Sequence, residues 1–233
     1  MQESDDELPV QAGYAAWAPL YDDDGNPLTA LEGPAVRAWF GPLAGRRALD
    51  IGCGTGRHTL ALIEAGAVEI AALDLTPEMM ARARWKVEGV RARVHWVRHA
   101  LPDPLPFRDA TFDLAVLGLV AEHVADLARA LREVAKVLTP GGRCILSALH
   151  PERTAEGQRA RFIDPQTGLR HPIATVHRTI DEYLAAGRTA GLRLEGEQAL
   201  VVPSELAERL PRATRYVGRN LGWVACWTKS GGG

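Results

Sequence analysis

The stretch "ALDIGCGTG", residues 48–56, constrains this chain more than any other: an apolar run ending in Asp50 is followed at once by three glycines in five positions. A strand that turns on glycine and opens a helix ("RHTLAL") lets a ligand approach the backbone closely and presents the amides of a helix start to it. Glycine-rich turns also arise for purely structural reasons, so the argument needs a second feature. Asp74 supplies it, eighteen positions past Gly56 and at the end of the next apolar run, "EIAALD". A carboxylate there accepts both hydroxyls of a ribose, so loop and acid together imply an adenosine-type ligand. Asp74 as a mere helix cap is the weaker reading, because Thr76 is in place to fill that role.

The spacing narrows the ligand further. A dinucleotide fingerprint wants G-x-G-x-x-G, whereas here the spacing is G-x-G-x-G and Arg57 follows. Asp50 would repel a pyrophosphate but attract an ammonium. A ligand with an adenosine and a cationic head fits better than a dinucleotide, which disfavours a dehydrogenase.

Around the loop, strand-like and helical runs alternate: "RALDI", His58 to Ala65, "EIAALD", Pro77 to Val87, "ARVHWV", "DLAVLGL", Leu127 to Leu138 and "RCILSAL". That order predicts an α/β fold, a parallel sheet with helices on both faces, built as one domain from the 233 residues. "TPGG" at 139–142 is expected to end a helix and turn into the strand after it. A helical cap over about residues 8–40 precedes the sheet. Residues 150–178, rich in arginine and histidine and without periodicity, read as an insertion over the ligand site. A helix Thr179 to Ala190, a strand near Leu192 to Val202, a short helix from Ser204 and a strand near Trp223 to Thr228 complete the pattern. Residues 1–12 and 229–233 read as loose ends.

At this point the chain resembles the class I S-adenosylmethionine-dependent methyltransferases of the small-molecule type. The resemblance rests on "LDIGCGTGRHTLAL", "ALDLTPEMMARAR", "LPFRDATFDLAVLGLVAEHV" and "LREVAKVLTPGGRCILSALHP", in that order over about half of the chain. "YAAWAPLYD" at 14–22 adds an N-terminal helix whose Tyr14 and Tyr21 close over the cofactor. The resemblance implies a Rossmann-like sheet of seven strands in the order 3-2-1-4-5-7-6, the last antiparallel. It implies that Asp50, Gly52, Cys53, Gly54 and Gly56 hold the methionine moiety of S-adenosylmethionine, and that Asp74 and Leu75 hold its ribose and adenine. Many relatives carry an acid after the third strand. This chain has Ala100 there, so the backbone of Ala100 and Leu101, or the side chain of His99, must meet the adenine. Leu117 to Leu119 are expected on the methyl-donor side.

A sulfonium is already an activated donor, so no metal or nucleophilic side chain is obligatory, and a base is needed only for an acceptor that must lose a proton. His150, after the fifth strand, is the first candidate and His123 the second. A packed or surface histidine is the alternative for each. His171 and His177 on the insertion rank lower. Some quinone-modifying relatives bind a divalent ion through Glu-x-x-Glu-His. Here Leu119 stands in the first position before Glu122 and His123, so no metal is expected. Arg153, Arg159 and Arg161 on the insertion suit an acceptor carboxylate or phosphate, with Arg161 and His177 the substrate candidates beside Trp17. Tyr14, Trp17, Tyr21 and Trp39 either line an aromatic wall or pack the N-terminal helices together.

The net charge of −2 gives no global field for nucleic acid. The basic run Arg82, Arg84, Lys86, Arg91, Arg93 and Arg98 reads as a solvated face rather than an RNA patch. No apolar run approaches the ~20 residues that span a bilayer. Cys53, Cys144 and Cys226 are odd in number and far apart, which excludes a disulfide framework and points to a cytoplasmic protein with reduced thiols. The expected function is methyl transfer to O, N or C of a small-molecule acceptor, in secondary metabolism, leaving S-adenosylhomocysteine. An RNA or protein methyltransferase and a non-catalytic sensor of the cofactor are the alternatives. A monomer or homodimer is expected.

Overall fold

The computed structural model describes residues 7–231. Helices α1 (Val10–Trp17) and α2 (Pro27–Ala38) form the cap. Asn26 caps α2 by accepting the Leu28 amide at 2.9 Å, with Pro27 at the first helical position. Alternation then begins with β1 (Arg47–Ile51), α3 (Arg57–Glu64), β2 (Glu69–Asp74), α4 (Pro77–Lys86), β3 (Arg93–Arg98) and β4 (Phe112–Gly118). A 3-10 turn (Ala121–His123), α5 (Leu127–Val137) and β5 (Leu138–Leu149) follow. The insertion holds α6 (Pro151–Ala155) and a hairpin of β6 (Arg161–Ile163) and β7 (Arg170–Pro172). The chain closes with α7 (Ile180–Thr189), β8 (Leu192–Val201), α8 (Ser204–Arg209), a second 3-10 turn (Pro211–Tyr216) and β9 (Asn220–Lys229).

The main sheet runs β3-β2-β1-β4-β5-β9-β8, with β9 antiparallel to both neighbours. With the hairpin set aside, this is the expected order of a Rossmann-like methyltransferase sheet. Its central strands are largely apolar and buried because helices cover both faces, with Asp50 and Ser147 the buried polar exceptions. Alternation along β4 shows it: Ala115 and Leu117 join the layer beneath α5 and α7, while Leu114 and Val116 join the layer beneath α2 and α3.

Four expectations change. α1 begins at Val10, so residues 10–12 are helical rather than loose; residues 1–6 lie outside the described residues. "TPGG" belongs to β5, which pairs Leu138 with Phe112 and resumes at Arg143 opposite Leu114, so residues 139–142 form a bulge. Lys229 belongs to β9, its ammonium bound to the carbonyls of Lys136 and Leu138. The insertion is ordered and joined to the start of the chain. Leu8 donates to the Pro172 carbonyl at 2.8 Å and accepts from Ala174 at 3.0 Å, while Gly13 of α1 abuts Ile173 so closely that a Cβ would lie 2.6 Å from it.

Candidate functional site

Two pockets open at the carboxyl ends of the strands. The first is lined by the glycine loop (Gly52, Gly54), by Asp74, Leu75 and Thr76 after β2, by His99, Ala100 and Leu101 after β3, and by Gly118 to Val120 after β4. Tyr14, Tyr21 and His123 close it. The second lies against it and shares Tyr14, Tyr21 and Leu119 with it.

The glycine loop is shaped by contact as much as by conformation. Gly52 has φ +66° and its absent Cβ would lie 2.6 Å from Val120 Cγ2, whereas Gly54, at φ +53°, has nothing nearer than a carbonyl at 4.0 Å. Asp74 is tied to the loop: its Oδ2 accepts the Gly54 amide at 2.7 Å and its Oδ1 the Thr76 amide at 2.7 Å. Thr76, expected to cap α4, makes no side-chain cap; Asp74 serves there instead. Burial raises the Asp74 pKa against those amide bonds. Asp50 is fully buried, and its Oδ2 accepts from Thr59 Oγ1 at 2.6 Å while Oδ1 has no hydrogen-bond partner among the described residues. A buried carboxylate oxygen without a partner is costly unless a ligand meets it. Asp50 itself lines neither pocket, so the glycine cradle and the Asp74 carboxylate facing the first pocket are what fit an adenosine there.

Cys53 and Gly56 stand behind this surface. Cys53 packs with Ala72 and Met80 and burial pushes its thiol well up, so it is a packing residue and no nucleophile. Gly56 starts α3 against Ala83. Leu117 points into the core, and Gly118 and Leu119 take the place expected for it. Leu119 holds φ +57°, rare for a residue with a side chain, and its amide donates to Ser147 Oγ and to the Ser147 carbonyl, each at 3.1 Å.

The histidines separate clearly. His123 lines the first pocket; its Nδ1 lies 2.7 Å from the Ala174 carbonyl and its Nε2 2.9 Å from the Tyr14 hydroxyl. A carbonyl only accepts, so Nδ1 carries the proton, and in the neutral ring Nε2 accepts from Tyr14. His150 is the N-cap of α6, its Nδ1 accepting the Glu152 amide at 3.3 Å, and it borders neither pocket. Burial lowers its pKa. Its placement therefore corrects the first choice of base. His177 is bound to Thr154 Oγ1 and His171 stacks on Phe162, both outside the pockets. Trp17 and Arg161 line the second pocket, together with Arg159. Arg153 is buried in an ion pair with Glu156, and Trp39 packs beneath Gly196, away from the site. Residues without a prior signal are Arg212, Arg215 and Tyr216 in the second pocket, which Glu122, weighed above only as a metal ligand, also lines. Asp22 is another, latching the cap to Thr55 Oγ1 and Lys86 Nζ, each at 2.7 Å. Lys86 is thus a tether rather than part of a solvated face. No group of three His, Cys, Asp or Glu side chains among the described residues is placed to hold a metal, and no helix there is long and apolar enough to cross a membrane.

The strand order and the pocket at its carboxyl edge are those that the resemblance to S-adenosylmethionine-dependent methyltransferases implies. A family profile described as a methyltransferase domain matches residues 49–146, less than half of the chain. Demethylmenaquinone methyltransferase of Bacillus cereus is 35% identical over 103 residues, 43% of this chain and 44% of that enzyme, so the chain matches less than half the length of this curated relative. An S-adenosylmethionine-dependent methyltransferase from Mesorhizobium loti superimposes with a TM-score of 0.71 at 28% identity, over 87% of this chain and 100% of its own. The [4+2]-cyclase SpnF shares the fold alone, with a TM-score of 0.69 at 21% identity over the whole of both chains.

Proposed function

We propose that this protein binds S-adenosylmethionine in the first pocket and transfers its methyl group to O, N or C of a small-molecule acceptor in the second. The observation that carries the reading is the shared wall: Tyr14, Tyr21 and Leu119 line both pockets, so two ligands meet there. When bound, the cofactor supplies a methyl group already activated on a sulfonium, which leaves the protein with alignment, water exclusion and proton removal.

The chain's own residues divide those tasks. Gly52 and Gly54 admit the ligand against the backbone. Asp74 keeps lone pairs for ribose hydroxyls beyond the two amides it accepts, and Leu75, Ala100 and Leu101 flank the base. Tyr14, Trp17 and Tyr21 cover the junction, with ring centroids 4.9 to 6.2 Å apart. For a protic acceptor, Tyr14 and His123 form the proton-accepting pair, because Ala174 fixes the tautomer that leaves Nε2 basic.

Titration calorimetry with S-adenosylhomocysteine is the test. One-to-one binding is expected, weakened at least about tenfold in Asp74→Ala through loss of a charged hydrogen-bond acceptor. Absence of heat with the wild-type chain, or full affinity in the variant, overturns the reading.

A further inference from the structure

The second pocket has a charge pattern that methyl transfer by itself does not require. At the end it shares with the first pocket stands Glu122, buried, with Oε2 lacking any hydrogen-bond partner among the described residues. Four arginines line it elsewhere, from two separate elements. Arg159 and Arg161 are two apart in extended chain leading into β6 and so share a face. Arg212 and Arg215 are three apart in the second 3-10 turn, where side chains at that spacing eclipse. Arg159 is paired with Glu7 at 3.0 Å, and Arg212 is held by the carbonyl and carboxylate of Asp24. Arg215 lies over the Tyr216 ring, 4.7 Å from its centroid, and has no carboxylate partner among the described residues. Between the two polar regions the wall is apolar, with Trp17, Leu28, Leu149, Ile163 and Leu221.

Resting on the methyltransferase reading, we propose that the acceptor is a small organic anion. It carries a carboxylate or phosphate that the arginine side of the pocket receives, an apolar spacer, and at the far end an O–H or N–H that donates to Glu122. A planar guanidinium offers a fork that matches either anion, and stacking on Tyr216 orients that fork in advance. Arg215 is exposed and stacked on Tyr216, so an anionic acceptor gains a charged hydrogen-bonding partner there that a neutral or cationic one does not. Glu122 sets the direction of binding, because its partnerless oxygen is met by the hydrogen-bonding O–H or N–H end of the acceptor while the arginine side takes the anion.

The experiment uses the full chain saturated with S-adenosylhomocysteine and a matched set of probes: 4-hydroxyphenylacetate, 4-hydroxyphenyl phosphate, the neutral 4-hydroxyphenylacetamide, the cationic tyramine, and phenylacetate without the hydroxyl. Calorimetry or ligand-observed NMR reads the affinities. Both anions are expected to bind at least about tenfold tighter than the amide or the amine, and the better of the two identifies the anion. Arg215→Gln is expected to abolish that preference and Arg215→Lys to restore part of it, with the melting temperature of each confirming the fold. Glu122→Gln is expected to erase the difference between 4-hydroxyphenylacetate and phenylacetate. Equal affinities across the set, a preference for tyramine, no binding of any probe, or an anion preference that survives Arg215→Gln overturns the proposal. Failure of the wild-type chain to bind S-adenosylhomocysteine overturns the methyltransferase reading instead, so the two failures are distinguishable.

Discussion

Two glycines of one loop illustrate how different constraints act on single residues. Both Gly52 and Gly54 have left-handed backbone, but only Gly52 is pressed against a neighbour, Val120. Left-handed backbone costs a residue with a Cβ about 1–2 kcal/mol, and a core clash adds to it. Gly52→Ala is therefore expected to lower the melting temperature more than Gly54→Ala, for which a few degrees is the rough scale. Gly54→Ala has the opposite emphasis: its new methyl enters open pocket, so it should weaken S-adenosylhomocysteine binding severely in a protein that is still folded. Thermal denaturation and calorimetry on the pair check this, and the reverse ranking in stability would remove the contact argument. At this scale the sequence was legible where chemistry sits on a strand end. Asp50, Gly52, Gly54 and Asp74 are placed by β1 and β2, whose apolar runs are unambiguous. Leu117 and His150 were not so placed: which of three residues after β4 faces the ligand depends on a backbone turn at Leu119, and His150 is taken up in capping α6.

Among the elements, α2 is anchored in the core through Val36, whereas the link between α1 and α2 is held by one carboxylate. Asp22, between α1 and α2, reaches Thr55 in the glycine loop and Lys86 at the end of α4. A half-exposed ion pair of this kind contributes roughly 0–1 kcal/mol, so it holds an element in place without setting the stability of the whole. Asp22→Ala is expected to speed amide exchange in residues 10–26 while leaving α2, β1, β2 and β4 unchanged and the melting temperature within about two degrees. Uniform acceleration throughout the sheet, or none in the cap, would show that the latch does not work locally. The helices of the core and the strand order followed from periodicity and from the parallel crossover rule. The hairpin β6–β7 did not, because two strands of three residues carry no pattern and exist by pairing with each other and by packing Phe162 and Ile173 against α1. The arginines of the second 3-10 turn escaped notice for the same reason, since that turn is defined by its contacts.

For the molecule as a whole, acid tolerance is expected to hinge on Glu32, buried where α2 meets α3 and β5. Burial opposes its ionisation, but His58, Arg57 and Ser147 outweigh that and hold its pKa at about 2. A carboxyl depressed from the ordinary glutamate value of 4.5 stabilises the fold above that value, and the contribution is lost as pH falls from about 4.5 towards 2. The scale is on the order of 3 kcal/mol. Denaturant titrations across that window should show stability falling with acid in the wild type and a flatter profile in Glu32→Gln, which is also weaker at neutral pH; parallel profiles would assign the acid sensitivity elsewhere. The seam between Leu8 and the segment after β7 has a consequence at this scale too. Because Leu8 is bound on both sides to the segment after β7 and Gly13 rests on Ile173, the start of the cap and the insertion are expected to open as one unit, with matching amide-exchange rates in residues 8–17 and 161–174.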